Sequence, residues 1–384
     1  MARPLLDNRM KIGIDARLIE ETGVGRYIRN LIEHLGVVDT KNQYVIFLRK
    51  KSYTDFSLPN NRFEKRLADV SWHSIAEQFF MPWILVKEHL DLVHIPYFNV
   101  PIFYPGLFIV TIHDLTILHY DTGKATTLPL FLYKIRRLGY YVTLMVGLVR
   151  AKAIIAVSET TKKEIMDHFQ IPSEKITVTY EGVDEKVKSQ KSKVKSQKSL
   201  INSPYFLYVG NAYPHKNLEF LLRAFQTLRL QPEKASPFQA KLVLVGKDDY
   251  FYQKVRRLVH TLGLDDNVVF FGQATDTELS NLYSHALALV FPSRMEGFGL
   301  PALEATVIGT PIICSDIPTF REILGPLGNY FESHDVTKIS TLLILGTTGK
   351  LKKPSNEDQN ALLKKFSWRQ MSEKTIYVYT QSPV

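Results

Sequence analysis

"SRMEGFGLPALEA", Ser293–Ala305, sets Glu296 and Glu304 eight residues apart around a Gly-Phe-Gly turn and a proline. Pro301 suits the first turn of a helix, where its missing N–H would have no partner anyway. The start of that helix then aims backbone N–H groups and a partial positive charge at the Gly297–Leu300 turn, an arrangement that receives phosphate. Gly297 and Gly299 carry no Cβ, so the main chain can come close to a ligand. One carboxylate before the turn and another inside the helix offer hydroxyl acceptors from two directions. Spacing alone leaves a loop, a helix start and a surface glutamate equally open.

Outward from this turn, the second half of the chain contains the apolar, strand-length runs "YFLYVG", "AKLVLVG", "NVVFFG", "LALVFPS" and "TPIICSD". Between them, "NLEFLLRAFQTL", "YFYQKVRRLVHTL" and "TELSNLYSHA" have helical spacing. The first half repeats the scheme with "KIGID", "QYVIFL", "LVHIP", "LFIVTIHD" and "AIIAVS" as strands. There "TGVGRYIRNLIEHL" reads as a glycine turn running into a helix, and Ser158 is placed to cap the helix of "SETTKKEIMDHFQ". Short apolar strands alternating with helices predict parallel sheets covered on both faces. Such sheets take ligands beyond the carboxyl ends of their strands. The glycines gather there: Gly23 and Gly25 after the first strand, Gly210, Gly246 and Gly272 at the ends of three others, and Gly297 and Gly299 after "LALVFPS".

With 384 residues, of which 45% are hydrophobic, the chain has material for two such domains. The segment "KVKSQKSKVKSQKS", Lys186–Ser199, repeats a seven-residue unit with six lysines and no acid, and reads as a solvated linker. Residues 1–184 are therefore expected as one Rossmann-like domain, 185–200 as the linker, 201–365 as a second Rossmann-like domain and 366–384 as a terminal helix. Of the net charge of +10, the linker supplies six, leaving +4, so the basic balance argues little for a nucleic-acid partner and none is expected.

Several classes fall away. Cys314, the single cysteine, lies in an apolar run and is expected buried and inert. No H-E-x-x-H, C-x-x-C or strand-end D-x-D is present, so no metal is expected. Counting from Gly23, a third glycine of a dinucleotide fingerprint would fall at Ile28, which disfavours a dehydrogenase. Residues 1–9 lack a secretory apolar core and read as a leader or an upstream start before Met10. "LGYYVTLMVGLV", Leu138–Val149, is too short to span a bilayer and is expected as a helix packed inside the first domain. The longer "LPLFLYKIRRLGYYVTLMVGLVR" keeps a second reading open, peripheral contact with a membrane.

Two further motifs carry chemistry. In "YVGNAYPHKNLEFLL", Lys216 stands at the mouth of a helix after Gly210 and Asn211, placed to meet a diphosphate as a point charge. His215 beside it is a second donor or a polar loop residue. In "TIHDL", His113 ends an apolar strand, where an imidazole either meets a substrate oxygen or serves the structure.

Taken with "GVGRY", "IIAVSETTKKEI" and "NVVFFG", these motifs resemble the family 4, or group 1, glycosyltransferases of the GT-B fold, in particular bacterial mannosyltransferase-type members. The likeness runs from Met10 to about Tyr379, and "MEGFGLPALE" corresponds to the family's E-x7-E signature. It implies two Rossmann-like domains facing across a cleft, with the last segment crossing back to the first. Glu296 would contact the donor sugar's hydroxyls, and the amides of Gly297, Phe298, Gly299 and Leu300 would hold sugar hydroxyls and the distal phosphate. Glu304 would accept from the ribose, Lys216 would neutralise the diphosphate, and the Gly23–Gly25 turn would approach it from the other domain. His113 would lie near the transferring sugar. The chain departs from the pattern at Asn211, where many relatives have arginine, with His215 or Arg294 as partial replacements. It departs again in "EGVD", Glu181–Asp184, where an asparagine is usual in place of Glu181.

The expected activity is transfer of a hexose with retention, without metal or other cofactor. GDP-mannose is the favoured donor and a UDP-sugar the alternative, with a saccharide or polyprenyl-linked acceptor, in surface-polysaccharide assembly. The expected place is the cytoplasm or the inner face of its membrane. A non-catalytic GT-B scaffold and a nucleotide-sugar epimerase remain as rival readings.

Overall fold

The structure, a computed structural model, describes residues 9–120, 130–183, 198–229 and 240–381. The lysine repeat up to residue 197, and Asp184, lie outside the described residues. The chain forms two compact units: Met1–Leu115, Thr127–Gly182 and Ser367–Val384 make the first, Thr116–Thr126 and Val183–Phe366 the second.

In the first unit seven strands form one sheet: β1 (Lys11–Asp15), β2 (Gln43–Leu48), β3 (Phe63–Leu67), β4 (Leu92–Ile95), β5 (Phe108–Ile112), β6 (Ala153–Ala156) and β7 (Ile176–Val178). Their order is β3-β2-β1-β4-β5-β6-β7 and every pairing is parallel. The second unit holds β8 (Tyr205–Val209), β9 (Lys241–Val245), β10 (Val268–Gly272), β11 (Ala288–Phe291), β12 (Ile312–Ser315) and β13 (Gly328–Phe331). They run parallel in the order β10-β9-β8-β11-β12-β13. Both sheets thus reverse direction of growth once, between β1 and β4 and between β8 and β11, and such switch points open a crevice for ligands.

The central strands are apolar throughout because helices cover both faces: β2, β5, β8, β9 and β11 are buried along nearly their whole length. Ser158 caps helix Glu159–Phe169, its hydroxyl accepting from the Thr161 amide, and Asp249 does the same for helix Tyr250–Thr261. Cys314 is fully buried in β12, and burial pushes its thiol far up, so it is an inert packing residue.

The terminal helix, Trp368–Gln381, packs with the first unit, against helix Gly23–Val38. Trp368, Met371, Val378 and Tyr379 are buried, each worth roughly 1.5–3 kcal/mol of transfer free energy. The Tyr379 hydroxyl lies 2.8 Å from Nδ1 of His94, whose Nε2 lies 2.7 Å from Oγ1 of Thr111. Burial drives the His94 imidazole down to about 3, so it is a neutral ring satisfied by two hydroxyls. Gly182 passes so close to this segment that a Cβ there would stand 2.1 Å from the Trp368 nitrogen.

One helix is inverted relative to ordinary amphipathic packing. Helix Ile75–Lys87 contains a single acid, Glu77, and points it inward. Glu77 Oε1 and Asp15 Oδ2 each lie 2.6 Å from Nη2 of Arg17, whose side chain is 2% exposed. Charge-assisted bonds from one guanidinium to two carboxylates anchor the helix to the end of β1. The sequence placed Leu138–Val149 inside the first domain, and the structure corrects this: in helix Leu130–Arg150 only the face bearing Thr143, Leu144, Gly147 and Leu148 is buried. Among the described residues no helix is long and apolar enough to cross a membrane.

Candidate functional site

The second unit brings the two principal sequence motifs together at its switch point. β8 and β11 are neighbours, with Phe206 paired to Ala288. After β8 the chain turns through Gly210 into the short 3-10 segment Pro214–Lys216, and Asn217 (φ 58°) ends it before helix Leu218–Arg229. After β11 it continues through Ser293 and Arg294 toward helix Leu300–Ile308. The Arg294 amide donates to the His215 carbonyl at 2.8 Å, joining the two loops.

Within that junction Nζ of Lys216 lies 2.6 Å from Oε1 of Glu296, the side chains being 12% and 9% exposed. The Thr319 hydroxyl donates to the Glu296 carbonyl at 2.6 Å, fixing the backbone of the pair from helix Pro318–Leu324. Two residues assigned separate roles from sequence, one for a diphosphate and one for sugar hydroxyls, therefore hold each other. An ammonium has three donors, so Lys216 can keep Glu296 and still offer hydrogens to an incoming anion.

The turn between them is built as its glycines require. Gly299 has φ 90° and ψ 48°, a left-handed conformation, and a Cβ there would meet the Phe320 ring at 2.9 Å. Phe298 is buried, its ring 5.6 Å from that of Phe366, so only its main chain can serve a ligand. Leu300 opens the helix and Pro301 follows within its first turn. Glu304 is 2% exposed and accepts from the Tyr283 hydroxyl at 3.2 Å. The surface-glutamate reading left open by spacing is thereby corrected.

The other second-unit residues are placed as follows. Gly210 (φ 150°) donates its N–H to Val245 O, while its carbonyl accepts from the Tyr252 hydroxyl at 2.8 Å. The Asn211 side chain faces its own loop, Oδ1 accepting from the Tyr213 amide at 3.4 Å. His215 is buried beside the rings of Tyr120 and Tyr213. Arg294 is exposed next to the motif.

In the first unit, His113 follows β5 and is held at both nitrogens: Nδ1 is 3.0 Å from Oε1 of Glu181 and Nε2 3.2 Å from the Pro96 carbonyl. The Tyr27 ring meets it edge-on at 4.9 Å. Glu181, read from sequence only as a departure from a family pattern, is thus the partner of a candidate catalytic imidazole. Gly23 and Gly25 do not form a turn, as expected, but occupy the first turn of helix Gly23–Val38. A Cβ on Gly25 would stand 2.4 Å from the Ile19 carbonyl oxygen, whereas Gly23 meets nothing within 4 Å. Gly25 is therefore required for packing, and Gly23 alone is open to a ligand. Glu164 went unnoticed in the sequence: burial first, then the charge of Asp114, raises its carboxyl to about 7. Its position on helix Glu159–Phe169 carries no motif that would have flagged it.

Two units with parallel Rossmann-type sheets, the last helix returned to the first, define a two-domain α/β protein of the GT-B class. Sucrose-phosphate synthase from Thermosynechococcus elongatus shares this fold, with a TM-score of 0.74 at 19% identity over 97% of this chain and 99% of that one. The family model for glycosyl transferases group 1 matches residues 164–364, and that for glycosyltransferase family 4 matches 22–187; the chain belongs to the group 1 glycosyltransferases. Among its relatives are the O-antigen chain mannosyltransferase RfbU of Salmonella typhimurium, 28% identical over 282 residues, 72% of each chain. Another is the O-antigen chain mannosyltransferase B of Escherichia coli, 26% identical over 93% of this chain and 96% of that protein.

Proposed function

We propose that this glycosyltransferase moves mannose from GDP-mannose, with retention, to a saccharide or lipid-linked acceptor in surface-polysaccharide assembly. The observation that carries the reading is the Lys216–Glu296 pair at the β8/β11 switch point, under a left-handed Gly299 that opens a helix. The choice of mannose is supported by the two O-antigen mannosyltransferase relatives.

In this reading the nucleotide diphosphate lies on the second unit. Lys216 and the main chain of Gly297–Leu300 take up the charge that develops as the anomeric C–O bond breaks, so no metal is needed for that task. Stabilisation of developing charge by fixed donors is usually the largest catalytic contribution. Glu296, its backbone fixed by Thr319, accepts from the sugar hydroxyls; Glu304 accepts from the ribose; Gly210, Asn211, His215 and Arg294 border the nucleotide. The acceptor hydroxyl attacks the anomeric carbon from the face the diphosphate leaves. Its proton passes to the departing phosphate oxygen, which has received the bonding electron pair. In the first unit, His113, held by Glu181, is the imidazole this reading assigns to the sugar.

Thermal unfolding of the purified protein with GDP-mannose, UDP-glucose and UDP-N-acetylglucosamine tests the reading, since a ligand that binds the folded chain raises Tm by mass action. GDP-mannose should raise it most. Protection by a UDP-sugar alone would replace the donor, and binding of neither GDP nor UDP would leave a scaffold.

A further inference from the structure

Two tyrosine hydroxyls hold the loop that follows β8. Tyr252, on helix Tyr250–Thr261, donates to the Gly210 carbonyl at 2.8 Å, and Tyr208, on β8 itself, donates to the Asn211 carbonyl at 2.5 Å. Both rings are buried. Burial first, then neighbouring charge, raises both phenols well above their usual value, so each remains an O–H donor. Two glycines make the room. Gly210 stands at φ 150°, a conformation open to a residue without Cβ. A Cβ on Gly246 would lie 2.2 Å from the Gly210 carbonyl oxygen and 2.3 Å from the Tyr252 hydroxyl.

In a trans peptide the carbonyl and the N–H that follows it point in opposite directions. The Gly210 carbonyl is drawn to the β9 side, where Gly246 lies and where the Gly210 N–H meets the Val245 carbonyl. The Asn211 N–H therefore points to the β11 side. There the strands separate: β8 stays in register with β9 as far as Val209, but with β11 only as far as Leu207. The gap is the switch-point crevice, bordered by the loop that carries Glu296. The Asn211 carbonyl, turned inward to Tyr208, likewise leaves the Ala212 N–H turned away from the core. Neither amide donates to any acceptor among the described residues, although Ala212 is itself buried. Main-chain donors left unpaired in this way are rare in folded proteins.

We propose that Tyr208 and Tyr252 are positioning residues: by pinning two carbonyls inward, they aim the main-chain N–H groups of Asn211 and Ala212 at the nucleotide diphosphate. The inference rests on the donor reading above and adds two neutral donors to the ammonium of Lys216. Successive free N–H groups make an anion-binding concavity, and bonds to an ionised acceptor are roughly twice as strong as those between neutral groups. The tyrosines touch no substrate and act through the backbone alone.

Titration of the full chain with GDP, UDP, guanosine and uridine, followed by ligand NMR, tests this. Tyr208→Phe and Tyr252→Phe should each weaken the diphosphate that the unaltered chain binds by roughly tenfold, and leave its nucleoside within about twofold. A merely structural role would weaken both alike. A second measurement needs neither variant. In the unaltered chain labelled with 15N-asparagine, the bound diphosphate should move the Asn211 amide proton downfield, the signal being assigned by its loss in Asn211→Ser. Equal losses for nucleoside and diphosphate, no loss in the folded variants, or an unmoved Asn211 amide would overturn the inference and leave the donor reading standing. Binding of neither diphosphate by the unaltered chain would overturn both.

Discussion

Glu181 accepts from the His113 imidazole at 3.0 Å while the Pro96 carbonyl sits 3.2 Å from its other nitrogen, so the ring orientation is fixed from both sides. A ring placed this way acts through its position. Glu181→Ala should lower kcat on the order of tenfold and leave the KM for the donor nearly unchanged. Glu181→Gln, which keeps an acceptor, should lose less. Equal losses in both would sink the positioning role.

Lys216→Ala removes the ammonium proposed to meet the diphosphate and strands Glu296 as a nearly enclosed carboxylate. Turnover, followed by nucleotide release, should fall by roughly a hundredfold or more, and stability by several kcal/mol, since breaking a buried pair costs about 3–5. The double variant Lys216→Ala/Glu296→Gln should recover much of the stability and none of the turnover. Recovery of turnover would show that charge balance, and not catalysis, is the lysine's task.

Gly25 and Gly23 should separate under substitution although they stand in one helical turn. Gly25→Ala drives a methyl group against the Ile19 carbonyl and should lower Tm markedly. Gly23→Ala has open space and should be neutral or slightly stabilising, since alanine outranks glycine in helices by about 1 kcal/mol. If donor phosphate reaches that turn, Gly23→Ala will raise KM with Tm intact.

Acid should loosen the first unit through its buried imidazoles. Glu164 offsets this in part, because its carboxyl, raised to about 7 by burial and then by Asp114, takes up its proton in the folded state over the same interval. The unfolded chain protonates His94 near the usual 6.5, the folded one only near 3. The contribution of His94 is therefore whole above about pH 6.5 and drains through that interval by about 1.4 kcal/mol per pH unit. His73, lowered to about 4 mainly by burial, adds to the slope. Urea midpoints at pH 7 and pH 5 should differ clearly, and His94→Gln should start lower at pH 7 and change less.

The legible parts of the fold were those where burial leaves a continuous apolar record. All the strands read from sequence are present as strands, and the three that escaped, β3, β7 and β13, are edge strands. Edges are half covered, and β3 with its "FEKRL" carries charge where a central strand carries valine. Helix Ile75–Lys87 escaped because an acid facing inward and aromatics facing outward erase the usual periodicity. In the site, Lys216 and Glu296 were each visible as chemistry at a strand end, but their pairing across 80 residues belongs to sheet order alone. Glu181 escaped for a related reason: the importance of a carboxylate lies in its neighbour, here an imidazole 68 residues away.

The Tyr379–His94 bond joins residues 285 positions apart, so the first unit is finished by a segment synthesised only after the second unit. Until then helix Gly23–Val38 lacks its cover, and the nascent amino-terminal half must wait, partly exposed, while the whole second unit is synthesised and folds. Truncations that stop at residue 366 should be insoluble, and an expression clone of the amino-terminal half will need the tail supplied, as a fused or co-expressed peptide.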